Sequence, residues 1–251
     1  MKDYLATIVE NKKIADNICE ITFELGERVN VRCGQFGNIA VGGTHLLRRP
    51  IAICKAEDTK VTFCYQIKGE GTQKLQKVEA GTKLNVLLPL GNGFFVEENE
   101  KKIALVGGGV GVFPLISVLR QYQGEKEISA YIGYRNQAMV CGVEDFEKAD
   151  KFVAVTDDGS YGEKMNAVQA FAADVEKGNV PDVVLSCGPT PMLRALKAYV
   201  EEKNIPCYVS LEERMGCGIG ACVVCVCNLT NGKKARVCKD GPVFNVKDVQ
   251  L

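Results

Sequence analysis

Residues 211–238 read LEERMGCGIGACVVCVCNLTNGKKARVC and hold five of the twelve cysteines of this 251-residue chain. Four of them are Cys217, Cys222, Cys225 and Cys238. Four residues lie between the first and the second, two between the second and the third, and twelve between the third and the fourth. A Cys-x4-Cys-x2-Cys run followed by a distant cysteine is the ligand spacing of plant-type 2Fe–2S clusters. Glycines at 216, 218 and 220 suit a chain that wraps closely around such a cluster, because glycine tolerates positive φ. We therefore predict that these four thiolates hold a 2Fe–2S cluster.

The cysteine block also admits other interpretations. Structural zinc modules more often carry two Cys-x2–4-Cys pairs, whereas here the last ligand is the lone Cys238. The cysteines could instead be structural and bind nothing. Cys227 lies two residues after Cys225 and could replace Cys238 as the fourth ligand, although a Cys-x-Cys pair on one cluster is the less usual geometry.

Composition narrows the class of protein and its surroundings. Lys plus Arg and Asp plus Glu number 31 each, and no basic run stands out, so nucleic acid is not expected as a partner. The charged, alternating N-terminal segment lacks the apolar core of a signal peptide, and no stretch approaches the length of an apolar membrane span. Twelve cysteines with an iron–sulfur pattern indicate a reducing compartment, so we predict a cytoplasmic protein.

Residues 1–98 predict an antiparallel β-barrel, because short β-rich segments alternate with Gly-containing turns. In RRPIAI, residues 48–53, the proline fixes a turn and leaves Arg49 able to bind a phosphate with two hydrogen bonds. An ordinary surface arginine pair is the alternative. A short helix is predicted after Gly71, with Thr72 as its cap, and the Gly-rich turn before it suits a phosphate.

Residues 99–209 alternate between strands and helices, which indicates a parallel α/β sheet. A glycine turn after the first of these strands would let a pyrophosphate approach the backbone and a helix that begins near Val112; the glycines are Gly107, Gly108, Gly109 and Gly111. The turn departs from the strict G-x-G-x-x-G fingerprint and lacks the Lys-Ser/Thr of a P-loop.

Two further segments follow predicted strands of this sheet. In TDDGSYG, residues 156–162, Asp157 or Asp158 can accept hydrogen bonds from an adenosine ribose and would repel a 2′-phosphate, which favours NAD over NADP. An Asp-Asp-Gly turn without a ligand is the alternative. Cys187, Gly188 and Pro189 lie at the carboxyl end of another strand, where open sheets bind ligands. Cys187 is either a small buried residue or a neighbour of a nicotinamide ring.

Together, RRPIAI, GEGT, GGGVGVFPL, CGPTPML and MGCGIGACVVCVC…CKDGPVF resemble the ferredoxin-reductase superfamily and, within it, the electron-transfer subunits of dihydroorotate dehydrogenase B. The resemblance covers essentially the whole chain. It implies an FAD-binding β-barrel (1–98), an NAD-binding α/β domain (99–209) and a small 2Fe–2S domain (210–251). It also implies that three segments contact FAD: Arg49, Pro50, Ile51 and Ala52; Cys64, Tyr65 and Gln66; Gly71 and Thr72.

Three positions depart from the pattern of that family. Ala52 stands where Ser or Thr is frequent, Gln66 where Arg is common, and Val224 where Gly is frequent in the cluster loop. The first two changes remove a hydrogen bond and a charge near the flavin. They bear on the affinity for FAD and not on the identity of the cofactor.

The resemblance also implies a function. A nicotinamide transfers two electrons at once as hydride, whereas a 2Fe–2S cluster accepts one electron at a time. A flavin between them can exchange electrons in both ways. Electrons would enter at the cluster from a separate FMN-bearing catalytic subunit, which oxidises dihydroorotate in pyrimidine (UMP) biosynthesis, and would leave from FAD to NAD⁺. Two copies of each subunit would form a heterotetramer, with the docking site at the cluster edge between Cys222 and Cys227. His45, the only histidine, is interpreted as structural, so no site for oxidising an organic substrate is predicted.

Two other functions stay open. The first is a stand-alone NAD(P)H-dependent reductase that passes electrons outward to a ferredoxin or an oxygenase. The second is a zinc-binding regulatory module without enzymatic activity, in which the same cysteines hold Zn²⁺.

Overall fold

A closed antiparallel barrel is formed by the first six strands of this computed structural model, which describes residues 1–43 and 45–251. The barrel order is β1-β2-β5-β4-β3-β6. These strands are β1 (Lys2–Ala15), β2 (Ile18–Glu24), β3 (Phe36–Ile39), β4 (Arg49–Glu57), β5 (Lys60–Gln66) and β6 (Lys83–Leu90). Alternating side chains fill the interior, where the rings of Phe23 and Phe63 meet edge to face at 5.9 Å between centroids.

Helix α1 (Glu70–Gln76) joins β5 to β6. Its N-cap is Gly69, so the prediction that Thr72 is the cap residue was wrong by three positions. Thr72 nevertheless stabilises this end of the helix, because its hydroxyl accepts hydrogen bonds from the backbone N–H groups of Lys68 and Gly69 at 2.9 and 3.2 Å.

A seven-stranded sheet follows the barrel in the order β10-β9-β8-β7-β11-β12-β15. All neighbouring strands are parallel except β12 and β15. The strands are β7 (Lys102–Gly108), β8 (Glu127–Tyr134), β9 (Lys151–Thr156), β10 (Glu163–Lys164), β11 (Val183–Cys187), β12 (Cys207–Ser210) and β15 (Val243–Asn245). The chain runs from β7 outward to β9 and then crosses to β11, so the order reverses between β7 and β11. The crevice at such a reversal is where open α/β sheets bind ligands.

Helices cover both faces of this sheet. They are α2 (Val112–Tyr122), α3 (Val143–Phe146), α4 (Ala167–Val175) and α5 (Thr190–Lys203). Helix α2 begins at the predicted residue. It packs between the sheet and the barrel strand β4, and Lys55 on β4 pairs with Asp145 on α3 at 3.1 Å. The barrel is therefore held against helices α2 and α3 by apolar packing and by this ion pair.

The C-terminal segment forms the small hairpin β13 (Val226–Asn228) and β14 (Lys234–Arg236) and then returns to the large sheet as β15. The predicted fold class, a barrel followed by a parallel sheet and a cysteine-rich C-terminal unit, is confirmed. Strand β15 belongs to the C-terminal segment but pairs with β12 of the large sheet. The domain boundary between residues 209 and 210 therefore stays a proposal, and so does the boundary between residues 98 and 99. The longest described helix has 14 residues, and among the described ranges no helix is long and apolar enough to cross a membrane.

Candidate functional site

A cavity of about 270 Å³ lies where the barrel, the sheet and the cysteine segment meet. Nine of the predicted site residues line it: Arg49, Pro50, Ile51, Ala52, Cys64, Tyr65, Gln66, Thr72 and Cys187. Strands β4 and β5 contribute the first seven, and β11 ends at Cys187. The fold therefore brings residues of all three predicted flavin segments and the predicted nicotinamide neighbour to one space.

The guanidinium of Arg49 lies directly against Gly71 in the first turn of α1. A methyl group built on Gly71 would overlap the guanidinium atoms, so the close approach requires glycine there. Arg49 also donates a short hydrogen bond to the carbonyl of Leu47. These contacts hold a permanent positive charge at the edge of the cavity, where it can bind a phosphate.

Two barrel residues that line the cavity, Cys64 and Tyr65, carry no charge. A hydrogen bond to the thiol of Cys54, together with burial, raises the pKa of Cys64. Burial likewise raises the pKa of Tyr65, whose hydroxyl donates to the side-chain carbonyl of Asn11 at 3.3 Å. Cys64 and Tyr65 are therefore neutral at physiological pH, which suits an aromatic ring system lying against them.

The glycine turn after β7 and the turn after β11 fit closely into one another. A methyl group on Gly111 would lie 2.5 Å from the carbonyl oxygen of Cys187, and one on Gly108 would lie 3.2 Å from the ring of Pro189. A methyl group on Gly188 would lie 3.1 Å from the backbone nitrogen of Gly108, and Gly107 is similarly enclosed by Leu115. Gly109 has φ +56° and open space beside it. The predicted glycines thus place bare backbone at the strand ends where the sheet order reverses.

Cys187 is buried at the meeting point of these turns and the cavity. Burial raises the pKa of its thiol, and the nearby carboxylate of Glu212 raises the pKa further. The side chain is therefore a neutral thiol at physiological pH and not a thiolate nucleophile.

The two predicted ribose carboxylates differ in their surroundings at the end of β9. Asp158 accepts hydrogen bonds from the backbone N–H and the hydroxyl of Ser160 at 2.9 and 2.6 Å, and these bonds lower the pKa of Asp158. Asp157 is anchored by its backbone N–H, which donates to the carbonyl of Tyr134 at 3.0 Å. Within the described ranges its carboxylate makes no hydrogen bond, so it is the one available to a ligand.

Backbone N–H groups point at the sulfurs of all four predicted cluster ligands. The Sγ atom of Cys217 accepts from the N–H groups of Ile219 and Cys222, both at 3.4 Å. The sulfur of Cys222 accepts from the N–H of Cys217 at 3.3 Å, and that of Cys225 from the N–H of Cys238 at 3.4 Å. The sulfur of Cys238 accepts from the N–H of Gly220 at 3.1 Å. The N–H of Ile219 is the main reason why the pKa of Cys217 is lowered to about 6. Such a set of N–H donors stabilises thiolates, which are the form that binds metal.

The four thiols form two pairs. Cys217 and Cys222 each donate their backbone N–H to the sulfur of the other, and the N–H of Cys238 donates to the sulfur of Cys225. Two thiolates for each of two irons is the arrangement that a 2Fe–2S cluster with four cysteine ligands requires. Among residues 1–43 and 45–251, no group of three or more His, Cys, Asp or Glu side chains is arranged to hold a metal ion. The paired cysteines, with backbone N–H groups facing their sulfurs, fit a 2Fe–2S cluster.

The remaining cysteine of the segment, Cys227, lies on β13 and is buried opposite Ala235 of β14. Burial raises the pKa of its thiol. Its position in the hairpin favours Cys238 over Cys227 as the fourth ligand.

Apolar side chains are exposed on the loop that carries these cysteines. Ile219, Val223 and Val224 have 42, 59 and 57% of their surface exposed. Val223 also has φ +57°, a conformation that is strained for a β-branched residue. The edge of the predicted cluster thus presents an apolar surface to the solvent.

Several residues that line the cavity were not predicted from the sequence. They include Phe36, Val110, Phe113, Ser210, Glu212, Glu213 and Met215. Ser210 to Glu213 follow β12 at the carboxyl edge of the sheet, so the position of strand ends could have identified them. Phe36 lies in a short buried strand and carries no local signal of its role.

Comparisons with known proteins give consistent results. Residues 212–250 match the family model described as the iron–sulfur cluster binding domain of dihydroorotate dehydrogenase B. The "Dihydroorotate dehydrogenase B (NAD(+)), electron transfer subunit" of Bacillus pumilus is 43% identical over 265 residues, which cover 100% of this chain and 99% of that protein. The protein of the same name from Caldanaerobacter subterraneus subsp. tengcongensis is 38% identical, with 97% of each chain covered.

The structural comparison includes a chain from the NADH-dependent reduced ferredoxin–NADP oxidoreductase, a protein studied for flavin-based electron bifurcation. It superposes with a TM-score of 0.87 and 26% sequence identity, and the match covers 98% of this chain and 90% of that one.

Proposed function

Because the chain belongs to the family of dihydroorotate dehydrogenase B electron transfer subunits, we propose that it passes electrons from a dihydroorotate-oxidising partner to NAD⁺ in pyrimidine biosynthesis. The observation that carries this proposal is the shared cavity. Its wall is formed by Arg49–Ala52 of the barrel, by Cys187 of the sheet and by Met215 of the cysteine segment. A flavin in this space would touch both the nicotinamide site and the cluster unit.

Each proposed cofactor has a set of residues that fits it. Arg49 would hold the FAD pyrophosphate, with Gly71 and Thr72 beside it, while residues 50–52 and 64–66 would hold the ring system. The glycine turn, together with residues 187–189, would bind NAD. Cys217, Cys222, Cys225 and Cys238 would hold the 2Fe–2S cluster. When bound, the flavin supplies the conversion between single-electron and hydride transfer. Apolar residues that line the cavity, such as Phe36, Ile51 and Met215, would exclude water from the space between the bound groups.

The nicotinamide cofactor is proposed to be NAD and not NADP. The carboxylate of Asp157 would accept hydrogen bonds from the two ribose hydroxyls, and its negative charge would repel a 2′-phosphate. Cys187, as a neutral thiol, would pack against the nicotinamide ring without competing for the hydride.

The partner is proposed to be an FMN-containing catalytic subunit, with two copies of each subunit in the assembly. The exposed apolar residues of the cysteine loop support docking there, because electron transfer needs the partner close to the cluster. None of the twelve cysteines is in a disulfide among the residues that the structure describes, which supports a reducing, cytoplasmic location.

A second candidate function is a reductase that passes electrons outward from a reduced nicotinamide cofactor. It is favoured by the likeness over 98% of the chain to the NADH-dependent reduced ferredoxin–NADP oxidoreductase. The higher identity to the electron transfer subunits, 38–43%, favours the first function.

The experiment is an ultraviolet–visible spectrum of anaerobically purified protein, followed by titration with NADH and, separately, with NADPH. We expect flavin bands over a broad iron–sulfur envelope, both of which bleach with NADH. Because Asp157 would repel the 2′-phosphate, NADPH should be at least about tenfold less effective, a difference of about 1.4 kcal/mol. Flavin bands alone would show that the four cysteines were misassigned, and a colourless protein with stoichiometric zinc would overturn the proposal.

A further inference from the structure

Asn38 is a buried polar residue at the contact between the barrel and the cysteine segment. It lies on β3, where it pairs with Pro50 of β4 and Leu87 of β6, and only 1% of its surface is exposed. Burying an amide costs free energy unless its donor and acceptor are both hydrogen-bonded. An asparagine at this position therefore needs a specific reason.

The amide nitrogen of Asn38 donates to the backbone carbonyl of Cys217 at 3.3 Å. A methyl group on the next residue, Gly218, would lie 2.6 Å from the same nitrogen, so this peptide group rests directly on the Asn38 side chain. Gly218 has φ +73°, which turns the chain sharply at this point. The contact joins two residues that are 179 positions apart in the sequence.

The side-chain oxygen of Asn38 is buried and has no hydrogen-bond partner within residues 1–43 and 45–251. An unpaired buried acceptor destabilises a folded protein. The barrel would therefore gain nothing from this oxygen, and an apolar residue of similar size would fill the same space without the loss. The donor bond to Cys217 is the one interaction that the amide supplies.

That bond sets the direction of the peptide group between Cys217 and Gly218. Its carbonyl is turned toward Asn38 of the barrel. The N–H groups that follow then face the sulfurs: that of Ile219 donates to Cys217, and that of Gly220 donates to Cys238 at 3.1 Å. Hydrogen bonds to sulfur are among the factors that set the reduction potential of an iron–sulfur cluster, because they stabilise the more negative, reduced form.

We propose that Asn38 is a positioning residue for the cluster: from the flavin barrel, its amide orients the 217–218 peptide so that the loop N–H groups face the cluster sulfurs. The inference rests on the proposed function, since it needs a cluster on Cys217, Cys222, Cys225 and Cys238. Through this residue the barrel would set how electrons are shared between cluster and flavin.

The test compares Asn38→Leu with Thr62→Val in the whole, cofactor-loaded protein. Thr62 is the matched control, because its hydroxyl is also buried in the barrel and bonds to Thr22 at 2.9 Å without touching the cysteine segment. The reduction potentials of cluster and flavin are measured by anaerobic redox titration with electron paramagnetic resonance and absorbance. We expect Asn38→Leu to lower the reduction potential of the cluster. The electron distribution between cluster and flavin should change at least tenfold, which corresponds to about 59 mV for one electron.

The other readouts distinguish positioning from a general effect on folding. The flavin potential, the FAD content and the thermal unfolding midpoint of Asn38→Leu should match those of the wild type. The inference would be overturned if Asn38→Leu changed the electron distribution between cluster and flavin by less than twofold. An equal shift of the cluster potential in Thr62→Val would also overturn it.

If the leucine variant does not fold, Asn38→Ala decides, because it removes the amide donor to the Cys217 carbonyl without adding a charge near the cluster. We expect its cluster potential to fall as well, and an unchanged value would overturn the inference. Absence of a cluster from the wild-type protein would be a different result, since it would refute the proposed function itself.

Discussion

At the scale of single residues, the contact between Arg49 and Gly71 decides where the positive charge of the candidate flavin site is held. The guanidinium lies against the glycine backbone, and its hydrogen bond to Leu47 restricts it further. Both residues belong to segments that the sequence identifies, RRPIAI and GEGT. Their direct contact explains why the second segment needs glycine and not only a turn.

Gly71→Ala should weaken FAD binding by tenfold or more. The added methyl group would displace the end of a flexible side chain, so the fold should persist while the guanidinium moves. A hydrogen bond to a charged group contributes about 1.5–3 kcal/mol, and each 1.4 kcal/mol is about tenfold in affinity. The dissociation constant is measured by flavin fluorescence on the deflavinated protein. Gly69→Ala is the control, because a methyl group there meets nothing within 4 Å; equal loss in both variants would contradict the prediction.

At the scale of elements, the cysteine segment was predictable because its ligands are spaced locally, within one loop and one hairpin. The barrel and the sheet were predictable from alternating and buried β-rich segments, and the glycine turns from their positions after strands. The capping of α1 was not, since Gly69 and Thr72 are both acceptable near a helix start and only the backbone geometry separates them. Strand β15 has three residues and no periodic pattern, so nothing local predicts that it joins β12.

The meeting of Phe36 and Asn38 with the cysteine segment could not be predicted either. Phe36 packs in one apolar cluster with Cys225 and Cys238, which lie 189 and 202 positions further along the chain. Only the tertiary fold brings these residues together. Such contacts depend on how complete domains dock. Sequence patterns of short period contain no information about them.

Cys238→Ala should remove the cluster, whereas Cys227→Ala should leave it in place. The sulfur of Cys238 accepts a hydrogen bond from the N–H of Gly220, and the N–H of Cys238 donates to the sulfur of Cys225. Cys227 is instead buried within the β13–β14 hairpin. Alanine is chosen because serine oxygen can still act as a ligand. Iron and acid-labile sulfide are measured per chain, with about two of each expected for wild type and Cys227→Ala. Loss of iron from Cys227→Ala but not from Cys238→Ala would reverse the assignment of the fourth ligand.

At the scale of the whole molecule, the three units converge on one cavity, and the cysteine loop lies on the side that faces the solvent. Cys222 is exposed, while Cys225 and Cys238 are buried against Phe36 and the barrel. An electron that a partner delivers to the proposed cluster would therefore arrive through the loop that carries Ile219, Val223 and Val224. The strained backbone of Val223 holds an apolar side chain in the solvent, which is costly for an isolated subunit and reasonable for a surface that a partner covers.

Val224→Glu should weaken binding of the catalytic partner by at least about tenfold, because burying an unpaired carboxylate costs more than 1.4 kcal/mol. Its side chain is 57% exposed, so the fold, the iron content and the bleaching by NADH should not change. Val180→Glu is the matched control: this valine is 51% exposed and precedes β11, at the sheet edge opposite the cavity. Affinity is measured by titrating the purified partner against each variant. If Val224→Glu binds as tightly as Val180→Glu, the partner docks elsewhere, and electrons enter by a path that does not cross this loop.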